Sequence, residues 1–320
     1  MSSEHQKLSE LISDKWQSKR YYSLEAFLKN QYGHRIKKIA IDAGFTCPNR
    51  DGTIDTRGCI FCSAGGSGDF AVPPASVTAS EPYIAYFQAY TCTYAPVPVL
   101  EQLYRKTLEE PLVVGISIGT RPDCLPEEVL TLLATLKQDY PDKFIWIELG
   151  LQTIHETTAA YIRRGYPLSR FTQAVKDLAA IHIPVIVHVI LGLPGETENM
   201  MLETIEYLNT LPIFGIKLQL LHVLQHTDLA TDYADGHFQV LTMEGYLNIL
   251  IRCIEHLAPH IVLHRVTGDG PKDLLIAPRW STDKKRVLNT LHHYMKLQNT
   301  YQGKYWKGDS HDVTGTSDPL

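Results

Sequence analysis

Phe171-Thr-Gln-Ala-Val-Lys-Asp-Leu-Ala-Ala-Ile-His-Ile-Pro-Val-Ile-Val-His-Val-Ile-Leu-Gly-Leu-Pro-Gly195 carries two periods one after the other. Phe171, Ala174, Val175, Leu178 and Ala179 recur at i, i+3, i+4, i+7 and i+8, the stripe of a helix packed on one face. Residues 184–191 then form a compact apolar run of strand length, as expected of a strand covered on both sides. The same alternation repeats along the chain. Strands are expected at 38–42, 83–90, 113–118, 144–149, 184–191 and 216–221, and a second clear helical stripe (Val129, Leu130, Leu132, Leu133, Leu136) follows Pro126-Glu-Glu128. Six strand–helix pairs in series predict an α/β fold, a partial (β/α)6 TIM-like barrel with a parallel sheet.

The ends depart from that rhythm. Leu8, Leu11, Ile12 and residues 21–32 read as an N-terminal helical extension; residues 243–257, 261–266 and 282–294 read as helix, strand and helix of a small C-terminal α/β extension. The expected division is 1–35 extension, 36–230 barrel, 231–305 C-terminal domain, and a Gly/Ser/Thr/Asp-rich tail, 306–320, expected to be disordered. At 320 residues, 44% hydrophobic and 20% charged, the chain has material for one large core or two modest ones. It has no apolar run of the roughly 18–20 residues that span a bilayer and no basic-then-apolar leader, so a cytoplasmic protein with no membrane partner is expected.

Six cysteines are too few for a disulfide framework, and three of them, Cys47, Cys59 and Cys62, fall within sixteen positions. They follow the first strand, at the end of a parallel barrel where active sites are built. Three thiolates leave one coordination position open, which suits a 4Fe-4S cluster with one iron free for a ligand. The alternative is a zinc site whose distant fourth ligand is Cys92 or Cys124. Cys253, on the stripe Tyr246, Ile249, Leu250, Cys253, Ile254, Leu257, reads as a core residue. The net charge of −5 is unevenly spread: residues 1–38 carry +4, residues 279–307 carry +6, and the intervening body is acidic. The basic ends are either ordinary solvated helix faces or a footprint for a nucleic acid.

The loop Cys47-x11-Cys59-x2-Cys62, with Thr120-Arg-Pro-Asp123, Glu148-Leu-Gly-Leu-Gln152 and His188-Val-Ile-Leu-Gly-Leu-Pro-Gly-Glu-Thr197 at successive strand ends, resembles the radical S-adenosylmethionine (SAM) enzymes over residues 36–230. The long first gap departs from the commoner Cys-x3-Cys-x2-Cys and is similar to the catalytic subunit of Elongator and its relatives. Arg163-Arg-Gly-Tyr166 stands where those relatives have Asn-Arg-Gly-His, which removes a histidine from that position. Phe87-Gln-Ala-Tyr-Thr-Cys-Thr-Tyr-Ala-Pro96 and Thr267-Gly-Asp-Gly-Pro-Lys272 look like the bacterial branch that lacks an acetyltransferase domain.

The resemblance implies a cluster on Cys47, Cys59 and Cys62, reductive cleavage of S-adenosyl-L-methionine to a 5′-deoxyadenosyl radical, and a flavodoxin- or ferredoxin-like electron donor. It also implies tRNA as substrate, with conversion of the wobble uridine side chain from carboxymethylaminomethyl to aminomethyl; a small metabolite or protein substrate is the alternative within the class. A zinc-stabilised RNA-binding protein is the alternative outside it. Glu148, at the expected end of strand four, could accept hydrogen bonds from ribose hydroxyls, with Gln152 reaching the same nucleoside. Arg121 is expected to pair with the SAM carboxylate, or else with Asp123 or Glu148. Gly192 and Gly195 permit close backbone approach to an adenosine. His188 alternates within an apolar strand, either as a satisfied core histidine or as a catalytic one. Arg265, Lys272 and Arg279, in a glycine-rich cationic segment, are candidates for a substrate carboxylate or phosphate.

Overall fold

The computed structural model describes residues 15–268 and 270–308. The expected helical positions Leu8, Leu11 and Ile12, and the tail from 309 onward, lie outside the described residues. Seven parallel strands form one sheet: β1 (Lys37–Ile41), β2 (Tyr83–Phe87), β3 (Val113–Thr120), β4 (Phe144–Gln152), β5 (Val185–Leu191), β6 (Gly215–Leu220) and, beyond a two-residue strand β7 (Val223–Leu224), β8 (Val262–Arg265). Spatial order follows chain order, β1-β2-β3-β4-β5-β6-β8, as right-handed crossovers through outer helices produce. β7 pairs antiparallel with β9 (Leu275–Ala277) in a separate ribbon.

The helices are α1 (Leu24–Tyr32), α2 (Val97–Leu108), α3 (Glu127–Asp139), α4 (Glu156–Tyr161), α5 (Leu168–Ala180), α6 (Glu198–Leu208), α7 (Asp228–Ala234), α8 (Met243–His256) and α9 (Lys284–Leu297). None is long and apolar enough to cross a membrane. Pro126 and Pro167 stand at the N-caps of α3 and α5, where chain geometry breaks from the strand before it.

β8, expected as the strand of the C-terminal extension, adds a seventh strand to the six expected of the barrel. β8 continues the barrel sheet by pairing with β6 (Gly215↔Val262, Ile216↔Leu263), and residues of α8 and α9 share the main core with the barrel strands. The N-terminal extension has a structural task at this edge. The Leu263 amide donates to the Tyr22 carbonyl at 2.8 Å, Ser23 bridges Leu263, and the Ser23 hydroxyl caps α1 by accepting from the Ala26 amide at 3.2 Å. An otherwise open strand edge is thereby covered. Trp306, expected in the tail, packs against the core instead.

Strand period sorts the side chains. On β4, Ile145, Ile147, Leu149 and Leu151 face the outer helices, whereas Phe144 and Trp146 plug the lower end of the barrel and Glu148, Gly150 and Gln152 face an inner cavity. β5 and β6 repeat this: Val187, Val189, Ile216 and Leu218 point outward, and His188, Lys217 and Gln219 point inward. The strands are covered on both sides, but only one side is apolar.

Candidate active site

The cavity opens at the C-terminal ends of the strands, and Cys47, Cys59 and Cys62 all line it. Their long loop folds onto itself. The Arg50 and Asp51 amides donate to the Cys47 carbonyl at 2.8 and 3.1 Å, the Gly58 amide donates to Asn49 at 2.7 Å, and the Cys62 amide donates to Cys59 at 3.0 Å. The Arg50 guanidinium closes the loop on the carbonyls of Cys62 (2.9 Å) and Ser63 (2.6 Å).

A second segment clamps the loop from the barrel side. The Arg163 carbonyl accepts from the Asn49 amide group at 2.8 Å and from the Cys59 thiol at 3.7 Å. At Gly165, φ is +82° and a Cβ would stand 2.8 Å from Asn49 Oδ1, so any side chain here would push the cysteine loop away. Arg164, 1% exposed, staples the segment by donating to the carbonyls of Thr153 (2.6 Å) and Tyr166 (2.9 Å).

Burial, with Cys62 beside it, pushes the Cys59 thiol up to about 12, and burial raises Cys62 as well. A cation bound there must therefore displace protons. Cys92 and Cys124 are buried, do not line the cavity, and donate elsewhere: the Cys92 thiol bonds the Ala89 carbonyl at 3.2 Å. Among the described residues, no three His, Cys, Asp or Glu side chains are grouped to hold one metal ion. A single tetrahedral zinc would need thiolates roughly 4 Å apart, whereas a cubane gives each thiolate its own iron. Three soft donors on one cavity wall, with no fourth among the lining residues, fit the cluster.

Below the cysteines lies a polar layer to which almost every strand contributes: Lys38, Tyr86, Ser117, Glu148, His188, Lys217 and Arg265. Glu148 is its hub, 1% exposed. Lys38 and the Ser117 hydroxyl (2.7 Å) reach Oε1; Lys217 and His188 Nε2 (2.6 Å) reach Oε2. Burial opposes ionisation of Glu148, but Lys217, Lys38 and His188 outweigh it and hold the carboxyl well below its usual range. Burial also pushes the Lys217 ammonium down to about 7 and, with Lys217 nearby, His188 to about 4, so His188 stays neutral at pH 7.

This geometry corrects several expectations. Glu148 does not end its strand: β4 runs on to Gln152, so the carboxylate sits inside the barrel. Its four acceptor sites are filled by four donors, which leaves none for a ribose. Arg121 takes its alternative partner, a bidentate pair with Asp123 (3.0 and 2.8 Å), and lies 5.0 Å over the Tyr166 ring while still lining the cavity. Gln152 lines the cavity with φ +64°.

Gly192 and Gly195 have φ of +83° and +82° but are not among the lining residues; Leu241 covers Gly192, whose Cβ would meet it at 2.7 Å. Arg265 lines the cavity. Lys272 lines a neighbouring depression with Phe70 and Lys284, and Arg279 is exposed on the turn Arg279–Thr282. Sequence reasoning passed over Lys38, Tyr86, Ser117 and Lys217. A polar residue two positions into an apolar strand, as in Gly215-Ile-Lys-Leu-Gln-Leu220, was the available signal.

Residues 81–208 match the radical SAM superfamily, and residues 213–297 match the Radical_SAM C-terminal domain. YtqA of Bacillus subtilis is 41% identical over 304 residues, covering 90% of this chain and 94% of that protein. The chain belongs to the radical SAM superfamily. YhcC of Escherichia coli, 34% identical over 294 residues, covers 87% of this radical SAM chain and 94% of its own. Among solved structures, the archaeal Methanocaldococcus infernus Elp3 with an N-terminal deletion shares the radical SAM fold at TM-score 0.62 and 14% identity; it covers 83% of this chain, which spans 64% of that one. The cofactors of this radical SAM enzyme are a 4Fe-4S cluster and S-adenosyl-L-methionine.

Proposed function

We propose that this radical SAM enzyme acts on tRNA and converts the wobble uridine side chain from carboxymethylaminomethyl to aminomethyl, with SAM as the two-electron oxidant, cleaved to methionine and 5′-deoxyadenosine, and water hydrolysing the oxidised C–N bond so that the two-carbon unit leaves as glyoxylate. The observation that carries the nucleic-acid part is the meeting of the two basic ends. Arg20 donates to Asn299 Oδ1 (3.3 Å) and the Thr300 carbonyl (3.2 Å), and the Tyr22 amide donates to Gln302 Oε1 at 2.8 Å. Segments some 280 residues apart thus form one cationic flank beside β8. At its upper end Lys284, Lys285 and Arg286 are exposed, and Lys284 and Lys272 line the depression beside the mouth. Exposed cations at Lys284, Lys285 and Arg286 suit contact with a phosphate backbone.

In this reading Cys47, Cys59 and Cys62 hold the cluster, and Arg121 and Gln152 orient SAM beside it. When bound, the cluster would supply the low-potential electron for reductive cleavage of SAM, with a flavodoxin- or ferredoxin-like protein as its donor. The chain's own residues shape the space around that chemistry. Asn49, Arg50 and the Arg163–Gly165 segment fix the loop. Trp146, Phe144 and Ile186 close the lower end to water. The neutral His188 and the Lys217 ammonium hold protons at the floor.

Total tRNA from cells with and without the gene, digested and compared by mass spectrometry, tests the proposal. Loss of the gene should raise the carboxymethylaminomethyl nucleoside and remove its aminomethyl products. Unchanged nucleosides would reject a tRNA substrate.

A further inference from the structure

Two of the three cavity cysteines have a polar side chain built against the sulfur. Asn49 Nδ2 stands 3.5 Å from Cys59 Sγ, and Ser67 Oγ stands 3.6 Å from Cys62 Sγ. Neither arrangement is loose. Asn49 is 1% exposed, and its Nδ2 also donates to the Arg163 carbonyl at 2.8 Å; a carbonyl accepts only a donor, so the amide nitrogen and not its oxygen is turned toward Cys59.

Ser67 lies in the left-handed region, φ +65°, where a residue other than glycine is strained. Ties from just beyond the end of β2 hold it there. Gln88 Nε2 donates to the Ser67 carbonyl at 2.7 Å, the Tyr90 amide to the Gly66 carbonyl at 3.0 Å, and the Tyr90 hydroxyl to the Ala64 carbonyl at 2.6 Å. The strain they maintain orients the Ser67 hydroxyl toward the sulfur.

With a protonated thiol, either partner of the Ser67–Cys62 contact can donate. A thiolate bound to iron holds no hydrogen, so only the hydroxyl and the amide remain as donors and both contacts run toward sulfur. Reduction adds one electron to a centre whose charge is spread over those sulfurs. A donor at the sulfur therefore stabilises the reduced state more than the oxidised one and raises the potential.

We propose that Asn49 and Ser67 set the reduction potential of the cluster by donating hydrogen bonds to the sulfurs of Cys59 and Cys62. The inference rests on the reading that these cysteines hold the cluster, and it is independent of the substrate. The step it governs is the entry of one electron from the flavodoxin- or ferredoxin-like donor, in which no bond to either cysteine forms or breaks. Asn49 and Ser67 act through the cysteines, as positioning residues.

The test titrates reconstituted holoenzyme potentiometrically without SAM and without oxygen, reads the EPR signal of the reduced cluster, and assays iron and sulfide alongside. At a fixed potential, Ser67→Ala should lower the ratio of reduced to oxidised cluster at least threefold, about 28 mV for a one-electron couple. Ser67→Gly, which removes the strain together with the hydroxyl, should match it, with iron at the wild-type level in both. Asn49→Ala would also untie the loop, so Asn49 is read in the wild-type chain: with nitrogen-15 in the asparagine side chains, pulsed EPR should show its coupling to the reduced cluster. An unchanged potential in either Ser67 variant, loss of iron from them, or no nitrogen-15 coupling would overturn the tuning while leaving the wild-type cluster in place. A wild-type protein that assembles no 4Fe-4S signal would overturn the cluster on Cys47, Cys59 and Cys62, and the tuning with it.

Discussion

Replacing Glu148 by Gln keeps the shape of the hub and removes its charge. Two ammonium groups, Lys38 and Lys217, then remain in the barrel with side-chain exposures of 18% and 5% and no carboxylate between them. Stranding one partner of a buried ion pair costs about 3–5 kcal/mol. With an unfolding entropy near 2.1 cal/mol/K per residue, that loss lowers the melting temperature of a chain this long by about 4–7 °C. Anaerobic thermal denaturation of the holoenzyme measures it. Adding Lys217→Met to Glu148→Gln removes one stranded charge and should recover at least about 1 kcal/mol, a non-additivity expected only of groups in contact. A melting temperature for Glu148→Gln within about 1 °C of wild type, or no recovery in the double variant, would refute the hub.

The remaining predictions concern the loop, the basic flank and pH. Cys59→Ala and Cys62→Ala should each abolish stable iron and sulfide binding and reduce 5′-deoxyadenosine formation at least a hundredfold; chemical iron analysis with chromatography of the products decides. Charge reversal at Lys284, Lys285 and Arg286 should weaken stem-loop RNA binding at least tenfold and flatten the salt dependence by about 2 in log–log slope, at roughly 0.7 per single-strand phosphate contact, as titrations over a salt series would register. His188 titrates near 4 in the folded state and near 6.5 when unfolded. Between those values the unfolded chain binds a proton that the folded chain refuses, so stability falls as pH drops through that window, by about 3 kcal/mol. The depressed carboxyl of Glu148 adds to the loss below its ordinary range. Urea melts from pH 7 to 4 would show this, and His188→Gln should reduce the loss without removing it, because burial also lowers His222, to about 4, and His264.

The α/β period was legible because the outward residues of each strand and the inward stripes of α3 and α5 meet in one apolar layer, and both periods are strong in the sequence. Strand ends were harder to read. The strand expected at 144–149 puts Glu148 near its end, yet Leu149 and Leu151 continue the outward face and carry the strand on to Gln152. The seventh strand was hidden by distance: β8 follows β6 by more than forty residues, and only the pairing of Gly215 with Val262 assigns it to the same sheet.

The cysteine loop stands out in the sequence by its spacing, and the structure brings all three thiols to one cavity. The polar layer does not stand out. Lys38, Ser117, Glu148, His188 and Lys217 each come from a different strand, and only closure of the barrel brings them together. Gly192 and Gly195 hold a tight turn with positive φ; Leu241 packs over Gly192, open space lies beside Gly195, and neither lines the cavity. Lys272 and Arg279 share a cationic segment with Arg265, but neither lines the cavity: Lys272 lines a separate depression and Arg279 stands on an exposed turn.

Single-turnover chemistry on a defined RNA tests the central claim most directly. Anaerobically reconstituted enzyme, SAM and a low-potential reductant are incubated with a stem-loop carrying carboxymethylaminomethyluridine, and the RNA nucleosides and 5′-deoxyadenosine are quantified together. The account predicts aminomethyluridine appearing alongside 5′-deoxyadenosine, and neither with Cys59→Ala. Formation of 5′-deoxyadenosine with the nucleosides unchanged would contradict it and place the radical on another substrate.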